Sequence, residues 1–227
     1  MNILLVNDDG IDTQRLAMTE TVLSEFGRVY VVAPNKQQSG KSIAITIGGF
    51  DFEKIDDTHY AIQGTPADCV LFGKYGLNLD IDVVFSGVNG GYNLGVDTMY
   101  SGTVGAAFQA KYHLLPSVAL SADGVGSEVL ENDLRSTLTH IVKNKLYSKE
   151  FVLNVNFPKE RFVASKGILN TKTYFLSYSL NASIDKNRFN INREIINESI
   201  PNDSDIFAIT NGYISISRLK NDIPVEE

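Results

Sequence analysis

Residues 3–10, ILLVNDDG, decide the fold class of this chain. Four consecutive apolar residues suit a short strand that is buried on both faces, as strands of a parallel sheet are. The run stops at an amide, two carboxylates and a glycine, which are residues typical of a polar turn. The chain therefore opens with a buried strand whose far end carries Asp8 and Asp9.

The residues that follow this strand show an alternation of predicted helices and strands. Apolar residues recur at helical spacing between Leu16 and Phe26, and residues 29–33 (VYVVA) form a second apolar run. A strand, a helix and a strand within about 35 residues make a βαβ unit. Further strands are predicted at 60–62, 82–85, 117–120 and 151–156, and helices from Thr65, over 103–112 and over 129–146. This alternation predicts an α/β fold with an open, mostly parallel sheet and flanking helices.

The last third of the chain has a different pattern. Apolar and polar residues alternate on both sides of residues 181–187, which predicts a long antiparallel β-hairpin. Residues 205–219 predict a short helix or turn followed by a strand. We therefore divide the chain into an α/β core over residues 1–160 and a hairpin with a C-terminal segment over residues 161–227. The second part is expected to pack on the core or on another subunit.

Composition excludes several classes of protein. The chain has 227 residues and a formal net charge of −7, which argues against a general nucleic-acid binder. Its single cysteine, Cys69, excludes an intramolecular disulfide framework. No apolar stretch approaches the roughly 18–20 residues that a membrane span needs, and the start lacks the pattern of a signal peptide. The sequence thus predicts a cytoplasmic protein with no membrane partner.

Asp8 and Asp9 are the strongest candidates for chemistry. At a strand end that turns through Gly10, both carboxylates can face one point, where they repel each other unless a proton or a cation lies between them. A divalent ion such as Mg²⁺ or Mn²⁺ prefers oxygen ligands of this kind. Ser39 and Asn89 follow other strands of the same predicted sheet and add a hydroxyl and an amide oxygen. The alternative interpretation is that Asp8 caps a turn and that Asp9 is only solvated.

A second candidate is the helix start at residues 100–107, YSGTVGAA. Small residues at the beginning of a helix leave its free backbone N–H groups accessible, and these groups attract a phosphate or another anion. Ser101 and Thr103 add hydroxyl donors. Ordinary N-capping by Ser101 or Thr103, with the glycine and alanines allowing close packing, is the alternative. A metal and an anion site at one edge would together suit a phosphoryl group.

These segments occur in the order and at the spacing of a known family. The sequence resembles the SurE family, the survival-protein nucleotidases, which are acid phosphatases of nucleoside monophosphates. The motifs are dense in the first half and thinner toward the C-terminus. They are NDDGI at 7–11, AP at 33–34, QSG at 38–40, GTPADC at 64–69, SGVN at 86–89, NLG at 93–95, YSGTVGAA at 100–107, NVNFP at 154–158 and GYISI at 212–216.

The resemblance implies a Rossmann-like core and a divalent-metal-dependent 5′-nucleotidase that binds one Mg²⁺ or Mn²⁺ ion per subunit. It implies metal ligands at Asp8, Asp9, Ser39 and Asn89. It implies phosphate contacts at Asn93, Ser101, Gly102 and Thr103. It also implies a homodimer or homotetramer in which the C-terminal hairpin and tail are exchanged between subunits. The nucleoside 5′-monophosphate substrate and the oligomer rest on the resemblance alone.

Two segments depart from the family pattern. Asn35 and Lys36 stand where the family usually has an aspartate and an arginine. Residues 12–15, DTQR, replace a segment that is usually rich in small residues and includes a glycine. Neither change removes a predicted metal ligand, but both bear on substrate preference.

Two other functions compete with hydrolysis. A non-catalytic protein that binds a metal or a phosphate, or that serves assembly, would use the same fold, and the change at Asn35 and Lys36 is the one hint of it. A signalling receiver also begins with a strand that ends in paired acidic residues. It needs a lysine after its fifth strand, however, and here the strand at 117–120 is followed by Ser-Ala-Asp. Hydrolysis is preferred, with Asp8 or Asp9 acting on water as a base or attacking phosphorus directly.

Overall fold

A mixed sheet forms the centre of the computed structural model, which describes residues 1–124, 127–196 and 199–220. Its strand order is β3-β4-β2-β1-β5-β6-β7-β11-β8. The strands of the described residues are β1 (Asn2–Val6), β2 (Arg28–Pro34), β3 (Phe52–Lys54), β4 (His59–Ile62), β5 (Val83–Asn89), β6 (Ser117–Ser121), β7 (Val152–Asn156), β8 (Ile168–Thr171), β9 (Tyr178–Asp185), β10 (Arg188–Ile195) and β11 (Ile214–Leu219). The helices are α1 (Gln14–Leu23), α2 (Pro66–Leu71), α3 (Asp97–Tyr100), α4 (Gly102–Tyr112), α5 (Glu128–Lys143) and α6 (Asp205–Thr210), with a π-helical turn at Phe72–Gly76.

The mostly parallel α/β sheet predicted from the sequence is confirmed. β1 pairs in parallel with β2 on one side and with β5 on the other. β5, β6 and β7 continue the parallel order. Two pairings of this sheet are antiparallel, namely β3 with β4 and β11 with β7, and β8 pairs in parallel with β11. The carboxyl ends of β1, β2, β5, β6 and β7 therefore lie along one edge of the sheet, which we call the carboxyl edge.

The side chains of β1 point alternately to the two faces of the sheet, which explains why this apolar run forms a central strand. Ile3 and Leu5 belong to one buried cluster, which they share with α1 and α5. Leu4 and Val6 point to the opposite face and join a second cluster with α2 and α4. Successive side chains of a strand face opposite sides, so a strand covered by helices on both sides must be apolar throughout.

Local signals set several helix boundaries. α2 begins with a capping box in which the Thr65 side chain accepts from the Asp68 N–H and the Asp68 carboxylate accepts from the Thr65 N–H, with Pro66 in the first turn. α5 ends at Lys143, three residues before the predicted end. Asn144 caps it, and Lys145 has a left-handed φ of 49°, which no helix interior allows.

The C-terminal third forms two different structures. β9 and β10 make the predicted antiparallel hairpin and, within the described ranges, pair with each other only. β11 instead enters the main sheet between β7 and β8. The division at residue 160 thus separates the hairpin from the core but not the strands of the sheet. None of the helices in the described part is long and apolar enough to cross a membrane.

Candidate active site

Asp8 lies at the carboxyl edge, just after β1, and only 3% of it is exposed. It faces the start of α4, because the Thr103 hydroxyl donates to Asp8 Oδ1 over 2.6 Å. Gly102 lies equally close, since a Cβ added to it would be 3.1 Å from Asp8 Oδ2. The segment at 101–103 and the first acidic residue, 95 positions apart in sequence, therefore form one site.

The charge of Asp8 is poorly compensated by the protein. Burial raises the pKa of its carboxyl, and the neighbouring charge of Asp9 raises it further, whereas the hydroxyl and the backbone N–H of Thr103 lower it. The net direction is upward, so the protein leaves this carboxylate short of positive charge. An anion thus already occupies the start of α4, and a second anion such as phosphate would need a cation beside it.

Asp9 is less buried than Asp8 and turns toward the loop that follows β5. Its Oδ2 accepts the Gly90 N–H over 3.2 Å. A Cβ on Gly90 would lie 3.6 Å from that oxygen and 3.9 Å from Nη1 of Arg15, so the carboxylate and the guanidinium flank the same glycine. Asp9 therefore connects the β1 end to the β5 end of the carboxyl edge.

Arg15 is a residue of this site that the sequence reasoning did not select. Its Nη1 donates to the carbonyls of Asn89 and Ala122 over 2.7 and 2.8 Å, and its Nη2 to that of Asp123 over 3.4 Å. Burial lowers the pKa of its guanidinium, while the charges of Asp9 and Asp123 raise it. Arg15 thus holds the ends of β5 and β6 together next to Asp9. The sequence signal that could have identified Arg15 is the departure from the family pattern at residues 12–15.

Ser39 and Asn89 reach the same edge from two other strands. The loop after β2 is held against β1 by a 2.7 Å bond from the Gln38 N–H to the Asp8 carbonyl, which places the exposed Ser39 one residue away. The Asn89 side-chain amide donates to the Gly91 carbonyl over 2.8 Å. That bond uses the nitrogen of the amide and not its oxygen, so the oxygen keeps its capacity to accept.

The start of α4 has the capping role that was the alternative to anion binding, and its anion site stays a prediction. Ser101 is the N-cap, and its Oγ accepts the Val104 N–H over 3.1 Å, so ordinary capping is present. The Ser101 hydroxyl hydrogen takes no part in that bond. A further contact explains the small residues, because a Cβ on Gly105 would overlap the Ser42 carbonyl oxygen. The loop after β2 thus packs directly against α4.

Asn93 is buried in a polar network above β6 and β7. Its side-chain amide donates to Ser121 Oγ over 2.7 Å, and its backbone N–H donates to Asn156 Oδ1 over 2.9 Å. Its carbonyl accepts from the side chains of Asn154 and Asn156. The described bonds of Asn93 go to this network rather than to Asp8 or Asp9, and one amide hydrogen remains. Its contact with phosphate stays a prediction.

Asp205 is a second residue that sequence reasoning missed. It is fully buried at the start of α6 and accepts the N–H groups of Gly95, Tyr174 and Ile206 over 3.2, 3.1 and 2.9 Å. Burial raises the pKa of its carboxyl, although these three N–H groups lower it. It ties the loop after β5 to the base of the hairpin from 110 residues away, a separation at which no local pattern signals a contact.

Two of the three histidines and the cysteine have structural contacts or burial within the fold. His59 lies between Glu20 and Asp56, and His113 contacts Tyr75 and Gln109. Cys69 is fully buried. Among the described residues no group of three or more His, Cys, Asp or Glu side chains is arranged to hold a metal. The candidate ligand set differs in kind, since it contains two carboxylates, one hydroxyl and one amide oxygen.

Comparisons with known proteins identify relatives of this chain. The family model described as survival protein SurE matches residues 3–179. The 5′-nucleotidase SurE of Histophilus somni is 35% identical over 98% of this chain and 94% of its own length. That of Leptospira biflexa is 38% identical over 70% of this chain, and the match spans 66% of the Leptospira protein.

A solved structure gives the same result for the fold. The crystal structure of the SurE protein from Aquifex aeolicus superposes with a TM-score of 0.86 at 33% sequence identity. The match covers 99% of this chain and 95% of that one. This chain belongs to the SurE family.

Proposed function

We propose that this chain is a metal-dependent 5′-nucleotidase that hydrolyses nucleoside 5′-monophosphates to a nucleoside and phosphate. The observation that carries the proposal is the buried carboxylate of Asp8 at the first turn of α4, beside Asp9. The names of the relatives support the reaction class, since they are 5′-nucleotidases. No specific observation favours the non-catalytic alternative.

The residues at the carboxyl edge fit a divalent cation. Asp8 and Asp9 bring two negative charges together, and no ion pair of the described residues neutralises Asp8. Ser39 and Asn89 add neutral oxygens of the type that Mg²⁺ and Mn²⁺ accept. When bound by these four residues, one such ion would supply Lewis-acid polarisation of a phosphate oxygen.

The side chains around the pair have separate tasks in this proposal. Thr103 keeps the Asp8 carboxylate oriented through its 2.6 Å bond. The Ser101 hydroxyl, the Gly102 N–H and the remaining Asn93 amide hydrogen donate to phosphate oxygens, where negative charge increases in the transition state. Arg15 fixes the carbonyl of Asn89 and thereby the position of its side chain.

Two routes to the products use the same residues. Asp8 or Asp9 takes the proton of an attacking water, or one of them attacks phosphorus and forms an aspartyl phosphate that water then hydrolyses. Hydroxylamine added during turnover distinguishes them, because it converts an acyl phosphate into a hydroxamate. A mass shift on the peptide that contains both residues would establish the covalent route, and an unmodified peptide would support direct attack by water.

The decisive experiment measures phosphate release from nucleoside monophosphates with and without Mg²⁺ or Mn²⁺. Asp9→Asn should lower the metal-dependent rate by more than about 100-fold, because even the outer partners of metal ligands typically contribute 10- to 100-fold. Asp12→Asn is the matched control, since it removes the same charge from an exposed side chain three residues away. Equal rates in the two variants would remove Asp9 from the site.

We further propose that the hairpin serves assembly into a homodimer or homotetramer. The register of β9 and β10 puts Leu180, Ala182 and Ile184 on the same face as Phe189 and Ile191. Four of these five side chains are large hydrophobic groups that are more than half exposed. A two-stranded hairpin is at best marginally stable alone, and a contiguous apolar face of this kind marks an interface. Exchange of the hairpin and tail between subunits remains a prediction, as does the cytoplasmic location.

A further inference from the structure

Asp68 is a buried carboxylate that the candidate active site does not use. It lies in the first turn of α2, and only 1% of it is exposed. A capping box needs one bond to such a carboxylate, which here is the 2.8 Å bond from the Thr65 N–H. Asp68 also accepts the hydroxyl of Thr46 over 2.7 Å and the N–H of Thr46 over 3.1 Å. The carboxylate thus joins the start of α2 to a loop that precedes it by 22 residues.

That loop follows β2, carries Ser39 and is exposed over most of its length. Exposed backbone with few buried contacts moves easily unless other bonds hold it. A second bond from α2 reaches the loop, because the Thr65 hydroxyl donates to the Ala44 carbonyl over 2.6 Å. The capping box of α2 therefore holds the loop at Ala44 and at Thr46, both within seven residues of Ser39.

Two further anchors lie on either side of Ser39. The Gln38 N–H donates to the Asp8 carbonyl over 2.7 Å. The Ser42 hydroxyl donates to the Met99 carbonyl of α3, also over 2.7 Å. Ser42 has a left-handed φ of 51°, a conformation that an L-residue other than glycine adopts at a cost and that surrounding bonds must maintain. The bonds at Thr46 close the far end of this strained loop.

The start of α2 is itself fixed relative to the candidate metal site. A Cβ added to Gly102 would lie 3.1 Å from Cγ of Pro66 and 3.1 Å from Oδ2 of Asp8. The first turn of α2, the first turn of α4 and the Asp8 carboxylate therefore meet at one glycine. A loop that is bonded to α2 is thus held by a body whose position relative to Asp8 is set by direct contact.

We propose that Asp68 is a positioning residue of the metal site, which acts through Thr46 to hold the loop where the Ser39 hydroxyl lies beside Asp8. The proposal rests on the nucleotidase function above, in which Ser39 is a metal ligand. Asp68 touches neither the metal nor the phosphate in this proposal. A neutral hydroxyl is a weak ligand, so its contribution depends on outer partners that fix its position before the ion arrives.

The first experiment measures binding of Mn²⁺ to the metal-free protein by electron paramagnetic resonance, which records the free ion. Thr46→Val removes the hydroxyl donor and should raise the dissociation constant about five-fold, the contribution of one hydrogen bond. Thr46→Ser keeps the hydroxyl and should keep the affinity of the wild type. Thr58→Val is the matched control, since it removes a hydroxyl that bonds Asp56 at the amino end of β4, away from the carboxyl edge. Wild-type affinity in Thr46→Val would overturn the proposal.

A double-mutant cycle separates positioning of Ser39 from a general loss of structure. If Asp68 acts through Ser39, Thr46→Val should have no further effect on the dissociation constant in a Ser39→Ala background. An equal loss of affinity in both backgrounds would show that the bond stabilises the fold only, which contradicts the proposal. Wild-type affinity in Ser39→Ala would overturn it as well, because the hydroxyl would then not be a ligand.

A third measurement needs no metal. Lys41 is an exposed trypsin site within the loop, and Lys149 is an exposed site between α5 and β7. Thr46→Val should speed cleavage after Lys41 about five-fold, because one bond less holds the loop closed, and should leave cleavage after Lys149 unchanged. Equal cleavage of Lys41 in the wild type and the variant would refute the tether.

The outcomes distinguish this proposal from the function on which it rests. If the wild type releases no phosphate from any nucleoside monophosphate with metal, the nucleotidase proposal fails, and the Mn²⁺ cycle still decides whether Asp68 positions Ser39. If the wild type is active and Thr46→Val leaves the Mn²⁺ affinity unchanged, only the positioning proposal fails.

Discussion

At the scale of single residues, buried carboxylates organise the carboxyl edge. Asp8 and Asp205 are both almost inaccessible to water, and both are held by N–H or O–H donors rather than by a lysine or an arginine. Their environments differ in one respect. Asp205 has three backbone N–H donors that satisfy both of its oxygens, whereas Asp8 has Thr103 and the repulsion of Asp9. The first arrangement is structural, and the second leaves a charge that a cation can neutralise.

Asp205→Asn should lower the free energy of unfolding by about 1–3 kcal/mol, because the side-chain NH₂ of asparagine would face backbone donors and leave at least one of them unpaired. Asp203→Asn is the matched control two residues earlier. Its carboxylate makes an exposed pair with Lys172, whose loss should leave stability nearly unchanged because solvent screens the two charges. Urea unfolding of the two variants measures the difference. Similar midpoints would show that the bonds of Asp205 do not stabilise the fold.

At the scale of elements, the hairpin and the strands of the sheet follow opposite patterns. β1 is apolar on both faces because helices cover both sides. β9 and β10 alternate, and their apolar face has no cover within the described ranges of one chain. Arg193 fixes the hairpin to the core through a 3.0 Å contact with Asp97 and lies over the rings of Tyr100 and Tyr178. The hairpin is thus anchored at its base, while its apolar face is available to a second copy.

Ile191→Asp should disrupt the oligomer, since it places an unpaired charge on the apolar face of the hairpin. The dissociation constant should rise by at least about ten-fold, which corresponds to about 1.4 kcal/mol. Asn192→Asp is the matched control, because it adds the same charge at the next position on the opposite face. Light scattering after gel filtration gives the mass of each species. A monomeric wild type, or wild-type mass in both variants, would contradict assembly through this face.

At the scale of the whole molecule, ion pairs connect the layers and make stability depend on pH. His59 on β4 joins α1 through Glu20 at 3.1 Å and the preceding turn through Asp56 at 3.0 Å. Burial lowers the pKa of this imidazole, but its bonds to Asp56 and Glu20 raise it more, so the net direction is upward. The N–H of Thr58, together with the imidazole and the N–H of His59, lowers the pKa of Asp56 to about 2.

The stabilisation that His59 provides should be complete below pH 6.5, the ordinary pKa of histidine, and should disappear as the pH rises through its higher folded value. Burial and the nearby Lys74 lower the pKa of His113, so its contribution has the opposite sign and is lost as the pH falls. Unfolding free energies between pH 5 and 9 test both effects. His59→Gln should remove part of the loss of stability at high pH. His113→Gln should remove part of the loss of stability at low pH. Parallel pH profiles for the wild type and both variants would refute the assignment.

The sequence by itself determined the fold class and the family, and it predicted the residues of the candidate site. Apolar runs, the capping box at Thr65 and the alternation around residues 181–187 depend on neighbours along the chain, so they can be interpreted locally. The motif at residues 7–10 placed two carboxylates at a strand end for the same reason. Tertiary structure alone decided that Asp8 would occupy the start of α4, that Arg15 would clamp β5 to β6 and that Asp205 would hold Gly95. These contacts join residues 74–110 positions apart, and they form because packing of the sheet brings strand ends together, which no local pattern encodes.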